Sequence, residues 1–181
     1  MTQEISFQRI VNKIIIMTLI CLIFNNLYNF GYSQTTTIIL IRHAEKDTTS
    51  PGSTMMKADP PLSVAGKRRA ERLPDILKDY QPDSIYTTNY IRTKTTIEPM
   101  AKRYNLTPII YDPKDLGSLA EKLIHLNGKT VVVAGHSNTT PMIVNLIMKE
   151  NKYANLEDSV YNQFWINTIA NGKLTDKVIS Y

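Results

Sequence analysis

The chain has 181 residues, with 21 Lys and Arg against 16 Asp and Glu and a formal charge of +5. That length favours one domain, and a composition 43% hydrophobic and 20% charged excludes a disordered or fibrous chain. The basic residues are scattered, without interleaved aromatics, so the charge argues for anionic partners and not for nucleic acid.

Residues 1–33 read as a secretory signal peptide ahead of one domain over 34–181. Arg9 and Lys13 precede the apolar run Ile14 to Phe24, and Gly31 and Ser33 put small residues where a signal peptidase cuts. The run has 11 residues, well short of the roughly 20 that span a bilayer. Cys21 lies in this run after Ile20, not after the small residue a lipoprotein site uses. Cleavage near Ser33 leaves no cysteine, which excludes disulfides and a cysteine nucleophile. It also leaves 19 basic against 15 acidic residues, a charge of about +4. The expected location is periplasmic or secreted, with no stable membrane association after cleavage.

Thr35 to Ile41 is β-branched and almost continuously apolar, the pattern of a strand covered on both faces. It ends in Arg42-His43. A polar loop with Pro51, Gly52, Pro60 and Pro61 follows. Ser63 is the expected N-cap of a helix with Gly66, Ala70, Leu73 and Leu77 on its inner face. Pro74 should kink it, and Lys67, Arg68, Arg69 and Arg72 read as a solvated face. Ser84 to Thr88 is a second strand, and Arg92 falls in the first turn of the helix behind it. Thr107 to Tyr111 is a third strand, closed by Asp112-Pro113. Leu116, Leu119, Ala120 and Leu123 mark a helix that Asn127-Gly128 should end. Thr130 to Ala134 is a fourth strand, leaving through Gly135-His136. Pro141 fits the first turn of the next helix. Asn171-Gly172, between Phe164–Ile169 and Lys173–Ile179, signals a hairpin. This alternation predicts an α/β fold: a three-layer α/β/α sandwich with a mainly parallel sheet and an antiparallel C-terminal edge.

Arg42, His43, Arg92 and His136 would all collect at strand ends, where α/β folds bind ligands. Two arginines suit a phosphate dianion, because the guanidinium fork bonds two oxygens at once. An unprotonated histidine nitrogen can attack phosphorus. His125, late in its helix, reads as a residue complementing the helix dipole. No metal site is evident, and no cofactor is expected.

Leu40-Ile41-Arg42-His43-Ala44 resembles the catalytic motif of the histidine phosphatase superfamily, the phosphoglycerate-mutase-like group, with Ala44 where glycine is usual. Pro61-Leu62-Ser63 with Gly66, Ser84 to Arg92, and Gly135-His136-Ser137-Asn138 resemble its other blocks, in the same order. The resemblance implies His43 as nucleophile, with Arg42, Arg92 and His136 binding the transferred phosphoryl group and backbone donors near Ser137 and Asn138 assisting. It implies a carboxylate acid, for which Asp112 is the first choice, then Asp115 or Glu45. The expected activity is hydrolysis of a small phosphorylated substrate, a phosphate monoester, through a phosphohistidine, without metal. The alternatives are a phosphohistidine-protein phosphatase and a non-catalytic module that binds phosphorylated ligands. A mutase is disfavoured by length. Substrate choice is expected to reside in Glu45–Pro60 and Asn151–Asn162. Oligomeric state is not legible.

Overall fold

The computed structural model describes residues 12–22, 35–49 and 59–181. The chain divides into two units, Met1–Ser33 and Gln34–Tyr181. In the first, residues 12–22 form a helix, α1, whose side chains are exposed all round. Among the described residues, no helix is long and apolar enough to cross a membrane. The expected cleavage point at Ser33 and most of the loop Glu45–Pro60 lie outside the described residues.

The second unit runs β1 (Thr36–Arg42), α2 (Val64–Ile76), β2 (Ser84–Thr87), α3 (Ile91–Arg103), β3 (Ile109–Ile110), α4 (Leu116–Ile124), β4 (Thr130–Gly135), α5 (Thr139–Met148), β5 (Gln163–Ala170) and β6 (Lys173–Ser180). The sheet order is β3-β2-β4-β1-β5-β6. β1, β2, β3 and β4 pair in parallel, whereas β5 and β6 pair antiparallel at one edge.

The period-2 geometry of strands explains the three layers. Ile38 and Leu40 of β1, with Val131 and Val133 of β4, pack under α4 and α5. Ile39 and Ile41, with Val132 and Ala134, pack under α2 and α3. Ile38 to Ile41 are wholly buried, and each such side chain stabilises the fold by roughly 1.5–3 kcal/mol. The continuous apolar run is thus two half-cores read in alternation.

Local signals hold at the element ends. Ser63 caps α2, its side chain accepting from Gly66 N at 3.1 Å. Asn171 and Gly172 both take positive φ, 52° and 71°, in the β5–β6 hairpin, as a two-residue turn of that twist requires. Other boundaries moved. The third strand shrinks to Ile109–Ile110. Pro74 lies inside α2, which ends two residues later at Ile76, so the missing N–H falls in the last turn. α4 ends before Asn127-Gly128, with His125 as C-cap and its Nδ1 2.8 Å from the Glu121 carbonyl.

β1 and β4 are neighbours, yet α2 leaves β1 toward one face and α5 leaves β4 toward the other. Two connections that part in this way open a crevice at the carboxyl ends of the strands.

Candidate active site

Register alone delivers two of the expected residues to that crevice. Arg42 pairs with Gly135, and His43 N extends the ladder to Gly135 O at 2.9 Å. The next residues out, His43 and His136, therefore stand with ring centroids 5.4 Å apart. β2 lies on the other side of β4, and α3 behind it carries Arg92. The resulting cleft of about 390 Å³ is lined by Arg42, His43, Arg92, His136, Ser137 and Asn138, with Lys46, Lys114 and Asp158 also on its walls. A second groove of about 470 Å³ between α3 and β3 contains none of Arg42, His43, Arg92 and His136.

His43 is 4% exposed, and its Nδ1 lies 2.8 Å from the Ala44 carbonyl. A carbonyl only accepts, so Nδ1 carries the proton and Nε2 keeps its lone pair. Burial, opposed by that hydrogen bond and reinforced by His136, Arg92 and Arg42, pushes the His43 pKa down to about 3. Ala44 N donates to Thr96 Oγ1 at 2.9 Å, and Thr96 Oγ1 donates to Arg92 O at 2.6 Å. The turn after His43 is thereby tied to α3.

His136 takes the other tautomer. Arg92 Nη2, which only donates, is 3.3 Å from its Nδ1, so the proton sits on Nε2. Nε2 donates to Thr88 Oγ1 at 3.0 Å, and Thr88 lies 2.9 Å from Thr93 Oγ1. Thr93 donates onward to the carbonyls of Thr88 and Tyr90. Burial first, then Arg92 and Arg42, lowers the His136 pKa to about 4.

Arg42 is 3% exposed. Its Nη1 donates to the carbonyls of Glu157 and Val160 at 2.8 and 2.7 Å, and its Cζ stacks 4.1 Å from the Tyr161 ring centre. Its Nε is buried without a protein partner. Arg42 thus anchors the segment 157–161 beside the cleft. Leu156 N, donating to Ser137 O at 2.9 Å, fastens the same segment to the mouth of α5.

The carboxylates are placed less centrally. Asp112 is exposed, and its Oδ1 accepts from Lys114 N at 2.9 Å, closing a turn. It lines neighbouring grooves and not the cleft holding His43, whereas Pro113 and Lys114 do line that cleft. Asp115 caps α4 through Ser118 N. Glu45 is engaged by Arg69 through Nε and Nη2, the shortest contact being 2.7 Å. That pair removes Arg69 from the expected solvated face of α2. Gly66 shows why α2 starts there. A Cβ at this position would sit 2.2 Å from the Glu45 carbonyl oxygen, so only glycine lets the helix approach the turn after His43.

Asp59, Thr88, Thr93 and Asp158 were not singled out as site residues, although Asp59 and Asp158 lie in the two segments expected to set substrate choice. Thr88 had a signal, since it is the first residue past a buried strand. Asp158 lines the cleft with its side chain 93% exposed, 3.7 Å from Arg42. Among the described residues, no cluster of three or more His, Cys, Asp or Glu is grouped to hold a metal ion.

A comparison with curated proteins gives no match. Solved structures give many matches. A SixA-type protein of Agrobacterium tumefaciens matches at 19% identity over 80% of this chain and 98% of its own, with a TM-score of 0.59. The protein histidine phosphatase SixA, complexed with tungstate, matches at 16% identity over 80% and 96%, with a TM-score of 0.62. A phosphoserine phosphatase mutant of Entamoeba histolytica in complex with phosphoserine matches at 15% over 78% and 95%, with a TM-score of 0.57. At these identities the likeness is one of fold. Residues 38–114, which hold the Arg42-His43 motif and Arg92, match the family model of the histidine phosphatase superfamily, branch 1.

Proposed function

We propose that the protein hydrolyses phosphate monoesters through a phosphohistidine on His43. The observation that carries this reading is the His43 tautomer: Nδ1 is committed to the Ala44 carbonyl, so the basic Nε2 is free in a cleft shared with Arg42, Arg92 and His136. Nε2 attacks phosphorus as the bond to the ester oxygen breaks, and that bond's electron pair leaves with the oxygen. Water then attacks the phosphohistidine, the N–P bond breaks and phosphate departs. Arg42 and Arg92 offset the charge on the phosphoryl oxygens. His136, neutral in the free site, takes a proton beside a bound dianion and donates it to a phosphoryl oxygen. The amides of Ser137 and Asn138, at the amino end of α5, add donors where a helix favours anions. The leaving oxygen is protonated by solvent or by Asp158, the carboxylate that lines the cleft among the described residues.

The substrate is a small phosphorylated molecule, and Lys46 and Lys114 on the walls favour an anionic one. The protein acts in the periplasm or outside the cell, a reading supported by the amino-terminal pattern and tested by fractionating cells that express the full chain. Purified protein should hydrolyse p-nitrophenyl phosphate without added metal, and His43→Ala should abolish it. Metal-dependent turnover that survives His43→Ala would sink the reading. A second reading, phosphohistidine-protein phosphatase, is favoured by the likeness to SixA. Faster turnover of a phosphohistidine protein than of any small ester in a panel would move it to first place. Binding without turnover would support a phospho-ligand module.

A further inference from the structure

Asp59 lies outside the cleft lining, yet it touches the arginine within it. Its Oδ1 accepts from Arg92 Nη1 at 3.2 Å. Both its oxygens also accept from Ile91 N, at 3.0 and 2.8 Å. This second contact matters because α3 has no cap of its own: Tyr90 holds the N-cap position and its side chain caps nothing. Asp59 supplies the missing acceptor from 32 residues upstream. One carboxylate therefore fixes both the start of α3 and the side chain of its second residue.

Among the described residues, three neighbours hold the Arg92 guanidinium, and they are not equivalent. The Tyr90 ring lies 4.4 Å from its Cζ, but a ring face attracts a cation whatever the rotation in the guanidinium plane. His136 offers one long contact at 3.3 Å. The Asp59 contact is charge-assisted and directional, so it decides which edge of the fork faces the cleft. The pair is partly shielded, with side chains 16% and 31% exposed for Arg92 and Asp59.

We propose that Asp59 is a positioning residue of the phosphate subsite: its carboxylate sets the Arg92 guanidinium so that the remaining donors face the phosphoryl group. The proposal rests on the reading of Arg92 as a phosphate ligand. A carboxylate near a dianion also repels it. Here the repulsion is the smaller effect, because Asp59 is paired with Arg92, partly solvated and not part of the cleft wall. Pre-orientation spares each binding event the cost of ordering a long side chain.

Two substitutions separate positioning from capping. Asp59→Asn keeps an oxygen acceptor for Ile91 N and removes the charge facing Arg92. Asp59→Ala removes both. Inorganic phosphate affinity by calorimetry, kcat and KM for p-nitrophenyl phosphate, and thermal melting are measured on each. Asp59→Asn should weaken phosphate binding and lower kcat/KM by about tenfold with melting unchanged. Asp59→Ala should match that loss and melt lower. In an Arg92→Ala background, Asp59→Asn should change affinity by less than about twofold, because the group it positions is gone. Asp59→Asn that binds phosphate within twofold of wild type, or more tightly, overturns the proposal. So does an equal loss in the Arg92→Ala background. Wild-type protein that neither binds phosphate nor turns over would overturn the phosphate reading and this proposal together. Wild-type activity with an indifferent Asp59→Asn overturns the role of Asp59 alone.

Discussion

At the floor of the cleft His43 and His136 are 4% and 9% exposed, whereas on its wall the Asp158 side chain is 93% exposed. The contrast extends to their partners. Both ring nitrogens of His136 are engaged, and one nitrogen of His43 is committed to a main-chain carbonyl. Lys46 and Lys114 line the same cleft, and among the described residues neither ammonium forms an ion pair. A buried polar group without a partner costs about 1–3 kcal/mol, so the floor tolerates few arrangements. A solvated rim carries no such penalty and is free to vary. On the proposed function, the chemistry belongs to the floor and the choice of substrate to the rim.

Substitutions at the floor should have the largest effects. His43→Ala removes the nucleophile and should lower kcat by about a thousandfold or more, measured with p-nitrophenyl phosphate. Arg92→Ala should lower kcat/KM by about a hundredfold, with Arg92→Lys recovering only part, since an ammonium lacks the fork.

Acid tests the floor as a unit. His43 and His136 have pKa values of about 3 and about 4 when folded, below the ordinary value near 6.5 of the unfolded chain. Below pH 6.5 the unfolded state binds more protons, so stability should fall as pH drops from about 6.5 toward 4. The slope is at most about 1.4 kcal/mol per pH unit for each histidine. Above pH 6.5 these groups contribute nothing. Thermal melts at stepped pH should show the decline, and His136→Gln should flatten it. The same shifts keep His43 Nε2 unprotonated, so activity should persist in mild acid for as long as the fold does.

Thr88→Val leaves the His136 Nε2 proton without its acceptor and should cost about 1–3 kcal/mol, read by urea unfolding. The rim should yield least. Lys46→Ala and Lys114→Ala should each raise KM by about two- to fivefold for esters carrying a second negative charge, and salt should erase the difference. Rim effects as large as that of Arg92→Ala would break the division between floor and rim.

Much of the floor was legible in the sequence because its chemistry is explicit there. A buried strand that stops at Arg-His, and another that stops at Gly-His, announce polar groups where apolar ones end. Parallel register then does the rest, since Arg42 opposite Gly135 leaves the two histidines side by side. Asp59 was not legible, because an aspartate before two prolines is ordinary in a loop. Asp112 directly follows a strand and looked well placed for an acid. Its carboxylate instead turns back to the Lys114 amide, a local bond that sequence position does not reveal.

By itself the sequence determined the alternation of strand and helix, the two-sided burial of β1 and β4, and the four side chains, Arg42, His43, Arg92 and His136, that meet in the cleft. These follow from periodicity and side-chain chemistry, which are properties of short segments. Tertiary structure alone decided which nitrogen of each histidine holds the proton, which carboxylate holds Arg92, and that Arg42 also anchors a segment more than a hundred residues away. Apart from the His43 bond to the adjacent Ala44 carbonyl, these are contacts between residues distant in the chain, and a directional hydrogen bond exists only once packing has brought its two ends within about 3 Å.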